Sequence, residues 1–215
     1  MTTIAIDGPG GAGKSTLGRA LAARLGLPSL DTGAMYRSVA LLGLRAGVDP
    51  SDEEALAALA RSMSLDLGDV VVVLNGEDVT EEIRSDAVNE VVSVVARHPA
   101  VRVELVVRQR AFVETHGGGV VEGRDIGTVV LPDADVKIFL TASEDVRAAR
   151  RAAERPSPGG SIEETRRAIG RRDELDTGRT ASPLLPAADA ILIDSSESTP
   201  DEIVQRVVDL LAKAP

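Results

Sequence analysis

A parallel α/β fold is predicted by three features of this 215-residue chain. Short apolar, β-branched runs alternate with stretches whose apolar residues recur at helical spacing. The first run passes through a glycine-rich segment straight into a helix. Aromatic residues are confined to Tyr36, Phe112 and Phe139, so the core must be built from Val, Leu, Ile and Ala.

The elements follow in order. Residues 3–7 are a strand. Residues 16–25 are a helix with Leu17, Ala20, Leu21 and Leu25 at helical spacing, stopped by Gly26-Leu27-Pro28. A brief strand at 29–30 leads into Asp31-Thr32-Gly33, and 34–46 is a helix closed by Gly47. Asp49-Pro50-Ser51-Asp52 is a turn and N-cap for a helix over 53–63. Strands at 65–67 and 70–74 flank Gly68-Asp69, and Asn75-Gly76 is a hairpin signal with 77–80 returning. A helix is expected over 81–97, and Pro99 opens another that runs to about His116. Val120-Val121-Glu122 follows three glycines and reads as a buried parallel strand, and 136–140 as the next. Ser143 caps a helix to about residue 155, and the Pro-Ser-Pro-Gly-Gly at 156–160 reads as a mobile loop. Ser161 and Glu164 form a capping-box pattern for a helix to about 175. Residues 190–193 are the last strand, and Thr199-Pro200 opens the terminal helix. Five parallel strands thus alternate with helices in one domain. Residues from about 48 to 96 carry hairpin-type strands and read as an insertion between core segments 1–47 and 97–215.

Residues 8–15 read Gly-Pro-Gly-Gly-Ala-Gly-Lys-Ser, a complete phosphate-binding loop in the strand–loop–helix setting that motif requires. Its glycines let consecutive backbone N–H groups face one concavity, and the helix N-terminus adds partial positive charge. The chain has three lysines, and the other 21 of its 24 basic residues are arginine. It nevertheless places lysine at position 14, where a compact ammonium suits the outer phosphates of a nucleoside triphosphate. Ser15 offers its hydroxyl to Mg²⁺.

The formal net charge of −10 argues against a broad nucleic-acid surface, which needs a basic field. The scarcity of aromatics removes stacking platforms for single strands. Without cysteine there is neither a disulfide nor a thiolate zinc site. The longest apolar run is far too short to span a membrane, and the N-terminus reads as a strand rather than a signal sequence. A cytoplasmic monomer acting on small molecules, with neither a nucleic-acid nor a membrane partner, is the expectation.

Other residues decide what happens to the triphosphate. No lysine is followed two positions later by aspartate, so the guanine reader of a GTPase switch is absent, as is the Leu-Ser-Gly-Gly-Gln segment of a transport ATPase. A small domain with many arginines and a short loop late in the chain describes a small-molecule kinase with ATP as donor. Its ATP-binding residues are Gly8, Pro9, Gly10, Gly11, Ala12, Gly13, Lys14, Ser15 and Thr16. An acceptor that is already a phosphate, with a second pKa of about 6, needs no general base. It needs alignment and charge neutralisation, so converging arginines matter more than His98 or His116.

The phosphate loop, Asp31-Thr32-Gly33-Ala34-Met35-Tyr36-Arg37, Glu122-Gly123-Arg124-Asp125-Ile126-Gly127-Thr128, the segment from Pro132 to Leu140, Ala181-Ser182-Pro183-Leu184 and Pro186-Ala187-Ala188-Asp189 together resemble bacterial cytidylate kinases, in order and spacing over essentially the whole chain. The resemblance implies a P-loop NTPase three-layer sandwich with a five-stranded parallel sheet in the order 2-3-1-4-5. It also implies a monophosphate-binding insertion and a short lid at about 154–161. The implied reaction moves the γ-phosphate of ATP to CMP or dCMP with Mg²⁺.

The same resemblance makes Arg37 and Arg124 the clamp on the CMP phosphate and puts Ser93, Arg102 and Asp125 around cytosine. Thr32 and Tyr36 fall on the acceptor side, Arg172 and Asp176 near the ribose, and Arg179 near the transferring phosphate. Lys14, Arg124 and Arg179 are the implied catalytic residues. Asp125 suits the exocyclic amine of cytosine, which uracil replaces with a carbonyl. A related role is water-mediated contact with Mg²⁺, so Asp125 serves cytosine, the metal or both, with Ser15 the direct ligand. The chain departs from the family in reading Asp173-Glu174-Leu175-Asp176-Thr177-Gly178 where arginines are common, and in a Pro/Gly-rich lid. A UMP, AMP or shikimate acceptor, or a nucleotide-binding switch without turnover, is the competing reading.

Overall fold

The computed structural model describes residues 2–68, 70–154 and 161–211. The loop read at 156–160, and with it most of the expected lid, lies outside the described residues. The chain packs as two compact units, one of Met1–Ser29 with Gly117–Pro215 and the other of Leu30–His116.

In the first unit, β1 (Thr3–Asp7) leads to α1 (Lys14–Leu25). Gly26 ends α1 in the left-handed region, where its N–H returns to the Ala22 carbonyl. After β2 (Ser29–Asp31), the second unit intervenes, and the chain returns through β6 (Gly119–Glu122), β7 (Val136–Thr141), α6 (Glu144–Glu154), α7 (Ile162–Thr177), β8 (Ile191–Asp194) and α8 (Pro200–Leu211). The sheet order is β2-β6-β1-β7-β8. Counted along the chain, that is the expected 2-3-1-4-5. β1 is central and pairs in parallel with β6 (Ile4 opposite Val120) and β7 (Ile6 opposite Ile138). Ile4, Ile6, Val120, Ile138, Leu140 and Ile193 from the strands pack with Leu17, Leu21, Ile203, Val204 and Val207 from α1 and α8. This aliphatic layer fixes the loop that leaves β1. Ser161 and Glu164 form the expected capping box at the start of α7.

The second unit holds α2 (Thr32–Ala46), α3 (Glu53–Ser62), a three-stranded antiparallel sheet of β3 (Leu65–Leu67), β4 (Val72–Leu74) and β5 (Glu77–Asp78), then α4 (Asp86–Val95) and α5 (Pro99–His116). Asn75 and Gly76 both have positive φ, as a two-residue primed hairpin turn demands. His98 faces the Pro50 carbonyl at 2.7 Å and His116 the Phe112 carbonyl at 2.8 Å.

One expectation changes. The helix read over 81–97 is a short 3₁₀ turn (Glu82–Arg84) followed by α4, because the Ser85 side chain accepts from the Val88 N–H and starts a new helix. Residues after Asp125, to which the pattern assigns no element, form a five-residue π-helical turn, Ile126–Val130. No helix among the described residues is long and apolar enough to cross a membrane.

Candidate functional site

The phosphate loop leaves β1 through Gly8, whose φ is +147° and whose missing side chain would stand 2.0 Å from the Leu140 carbonyl oxygen. Only glycine fits there. Gly13 closes the loop in the left-handed region and caps α1 without a side-chain bond, and the first turn of α1 carries no acidic residue. The N-terminal N–H groups of this 12-residue helix therefore face the loop without an internal anion from their own turn. Lys14 is buried, and its ammonium donates to the Pro9 carbonyl at 2.8 Å. Ser15 Oγ donates to Glu122 Oε2 at 3.0 Å, so the last residue of β6 brings a carboxylate to the hydroxyl at the end of the loop.

Three segments brace the loop. Arg147 of α6 donates to the Gly10 and Ala142 carbonyls, both at 3.2 Å, and pairs with Asp173 of α7. The other Asp173 oxygen accepts from the Gly10 N–H at 3.3 Å. Arg150, one turn after Arg147, donates to the Ala12 carbonyl and to Ser195, whose hydroxyl also donates to Ala12 O at 2.9 Å.

Beside the loop lies a cluster of guanidinium groups around one carboxylate. Asp176 is 1% exposed; its Oδ2 accepts from Arg124 Nε at 2.8 Å, and its Oδ1 pairs with Arg179. Arg172 Nε stands 4.0 Å from the same Oδ2 and makes no hydrogen bond. Burial alone would push Asp176 up, but Arg124, Arg179 and Arg172 together outweigh it and hold its carboxyl below the usual range. Arg172 is pushed down to about 10, by burial first and by Arg124 beside it second. It stays charged at neutral pH. A side-chain carbon added at Gly10 would lie 3.7 Å from Arg124 Nη2, so this guanidinium reaches the phosphate loop itself.

Asp7, at the end of β1, is also buried. Its two oxygens accept from the Ile126 and Gly127 N–H groups, each at 2.8 Å. Burial pushes its carboxyl up to about 6, against the opposing pull of those two bonds; Asp125 adds to the rise and Lys14 lessens it. Asp125 itself is 4% exposed.

In the second unit, Thr32 is the buried first residue of α2, and Asp31 caps that helix by accepting from the Ala34 N–H. Arg37, buried on α2, donates to the Ile83 carbonyl at 3.2 Å and to Asn89 Oδ1 at 2.7 Å. Arg102 places its guanidinium 5.5 Å from the centre of the Tyr36 ring and donates to the Ala96 carbonyl at 3.3 Å. Ser93 is buried on α4.

Within the first unit the structure thus gathers Arg124, Arg172 and Arg179 around Asp176 and sets Arg124 beside Gly10 of the loop that ends in Lys14 and Ser15; within the second it joins Tyr36 to Arg102 and seats Arg37 against α4. Sequence reasoning missed Asp7, Glu122, Asp173 and Ser195 and left Arg147 and Arg150 undistinguished in an arginine-dense stretch. The three-residue spacings Arg147–Arg150 and Asp173–Asp176 put each pair on one helix face, which was a usable signal. Arg166 and Arg167 pair with acidic residues at the surface instead.

Three comparisons bear on this geometry. The family pattern described as cytidylate kinase matches residues 4–213. A cytidylate kinase of Pelotomaculum thermopropionicum is 54% identical over 213 residues, covering 95% of this chain and 93% of the relative. One from Geobacillus kaustophilus is 49% identical, covering 97% and 96%. Among solved structures, a gluconokinase from Sinorhizobium meliloti aligns with a TM-score of 0.53 at 15% identity, over 99% of this chain and 92% of that one, a likeness of fold.

Proposed function

The chain belongs to the cytidylate kinase family, and we propose a division of labour among its residues for transfer of the ATP γ-phosphate to CMP. The observation that carries the reading is the reach of Arg124 to Gly10: an arginine bound to the Asp176 cluster stands over the loop that receives the triphosphate. Residues 8–16 cradle ATP. Lys14 neutralises the transferring phosphate, Arg124 and Arg179 align donor and acceptor with no general base, and Arg172 lies with Asp176 on the ribose side. Arg37 joins Arg124 on the acceptor phosphate. Ser93, Arg102 and Asp125 read cytosine, with Thr32 and Tyr36 beside the acceptor and Asp176 toward its ribose. The same reading takes dCMP as an acceptor beside CMP. The cysteine-free, acidic composition supports a cytoplasmic enzyme working on small nucleotides rather than on nucleic acid.

Mg²⁺ fits the donor set, because Ser15 and Glu122 offer hard oxygen ligands side by side. When bound, the ion neutralises charge on the outer phosphates. Ser15 would hold it directly, with Glu122 as the partnering carboxylate and Asp125 the water-mediated candidate. Glu122→Gln is expected to raise the Mg²⁺ concentration for half-maximal rate by about tenfold, the loss of one outer carboxylate contact. An unchanged Mg²⁺ titration would remove Glu122 from the metal.

A coupled ADP-release assay across CMP, dCMP, UMP, AMP and shikimate tests the acceptor, and a best rate with anything but the cytidine nucleotides sinks the reading. In the same panel Asp125→Asn should reduce the preference for CMP over UMP by roughly 10- to 100-fold, the scale of one lost buried pairing. If the ratio holds, Asp125 belongs to the metal or to the fold.

A further inference from the structure

We propose that Asp7 is a positioning residue for the acceptor side of the reaction: from the end of β1, its carboxylate holds the Arg124-Asp125 segment in place. The inference rests on the acceptor role given above to those two residues.

β6 leaves the sheet at Gly123, whose N–H still donates to the Ile6 carbonyl at 2.9 Å. The chain then passes through Arg124 and Asp125 into the turn Ile126–Val130. The first N–H groups of such a turn have no partner within it. Asp125 occupies the capping position yet makes no side-chain cap bond. Asp7 supplies the cap instead, from more than a hundred residues away: Oδ1 accepts from Ile126 and Oδ2 from Gly127.

One carboxylate spanning two adjacent N–H groups fixes both the place and the rotation of the peptide between them, which a single bond does not. It also takes the donors that a capping Asp125 would otherwise seek, and so keeps that side chain from being turned inward on its own helix. A side-chain carbon on Gly127 would touch Asp7 Oδ2 at 3.4 Å, an ordinary contact, and would press on the Lys137 stem at 3.2 Å. Asparagine cannot replace Asp7, because its amide offers one acceptor oxygen where two N–H groups wait. Asp7 thus links the residue before the phosphate loop to the residues that face the acceptor.

The test uses the full chain, with CMP varied at saturating ATP and the reverse, for Asp7→Asn, Gly127→Ala and Arg124→Ala. Asp7→Asn should raise the KM for CMP about tenfold, the size of one lost buried hydrogen bond, and Gly127→Ala, which only crowds the same contact, about threefold, while the KM for ATP stays within about 1.5-fold. Adding Asp7→Asn to Arg124→Ala should raise the CMP KM less than about twofold further, because both act through one segment. The proposal is overturned by an unchanged CMP KM, by KM values for ATP and CMP that rise together, or by effects that multiply in the double variant. Gly127→Ala leaves the phosphate-loop strand untouched and carries the test if Asp7→Asn folds poorly. Asp125→Asn measured alone keeps the two readings apart: an unchanged CMP-to-UMP ratio there overturns its cytosine role, whereas an unchanged CMP KM in the other two variants overturns the positioning role of Asp7.

Discussion

Lys14→Ala should lower kcat by about a thousandfold, the scale of removing a preorganised positive group from the site of developing charge. The structure explains why the loss would fall on chemistry rather than on folding. The ammonium donates to the Pro9 carbonyl, a contact within the same loop; a charged hydrogen bond of that kind contributes about 1.5–3 kcal/mol, against which stands the cost of keeping the ammonium buried. The loop itself is held by other means: the close approach of Gly8 to Leu140, Asp173 on Gly10, and Arg150 and Ser195 on Ala12. Lys14→Ala should therefore melt within a few degrees of the parent while its turnover collapses. Arginine should not rescue it, because a planar fork cannot occupy the place of a compact ammonium. Near-normal turnover in a folded Lys14→Ala protein would refute the role.

Asp176→Asn should be the most destabilising single change at the site, by about 3 kcal/mol, the lower end of the range for breaking a buried ion pair. The lower end applies because Arg124 and Arg172 retain some water, with side chains 16% and 27% exposed. Asp176 offsets the charge of three guanidinium groups at once, and the amide that replaces it offsets none. In a chain of this length the change corresponds to a fall of roughly 6–12 °C in Tm. Because the carboxyl is held below its ordinary value in the folded state, its stabilisation is present above the unfolded pKa near 4 and is lost as pH falls through the folded one. The gap between the two melting temperatures should thus be full at pH 7 and shrink below about pH 4. Asp7, held above its ordinary value, works with the opposite sign between about 4 and 6 in both proteins and so cancels from the comparison. A melting temperature unchanged at pH 7 would show that the cluster does not depend on its carboxylate.

Much of this was readable in advance. β1 and α5 have the bounds their patterns imply, since β-branched residues mark the one and Pro99 opens the other. The phosphate loop was readable from its spacing, because it is a local backbone device. The break at Ser85 was missed: apolar periodicity runs on through it, although serine followed by aspartate is a cap signal in its own right. The turn after Asp125 was missed for a deeper reason. Ile126, Thr128, Val129 and Val130 give no helical pattern, and the carboxylate that holds the turn belongs to β1.

The amino-acid sequence by itself determined the opening of this protein: a strand, a glycine loop and a helix that starts with a lysine and a serine. It also singled out particular arginines through resemblance to one family. Tertiary structure alone decided what those charges do to one another. Parallel pairing of β1 with β6 and β7 carries Glu122 to Ser15 and Asp7 to the turn at 126–130, and α7 carries Asp173 to Gly10 and Asp176 to Arg124. Helix spacing, caps and turns act over a few residues and leave their mark in the local order of side chains. Buried charges act through the loss of water and the distance to a partner, and both of those exist only once remote segments have packed.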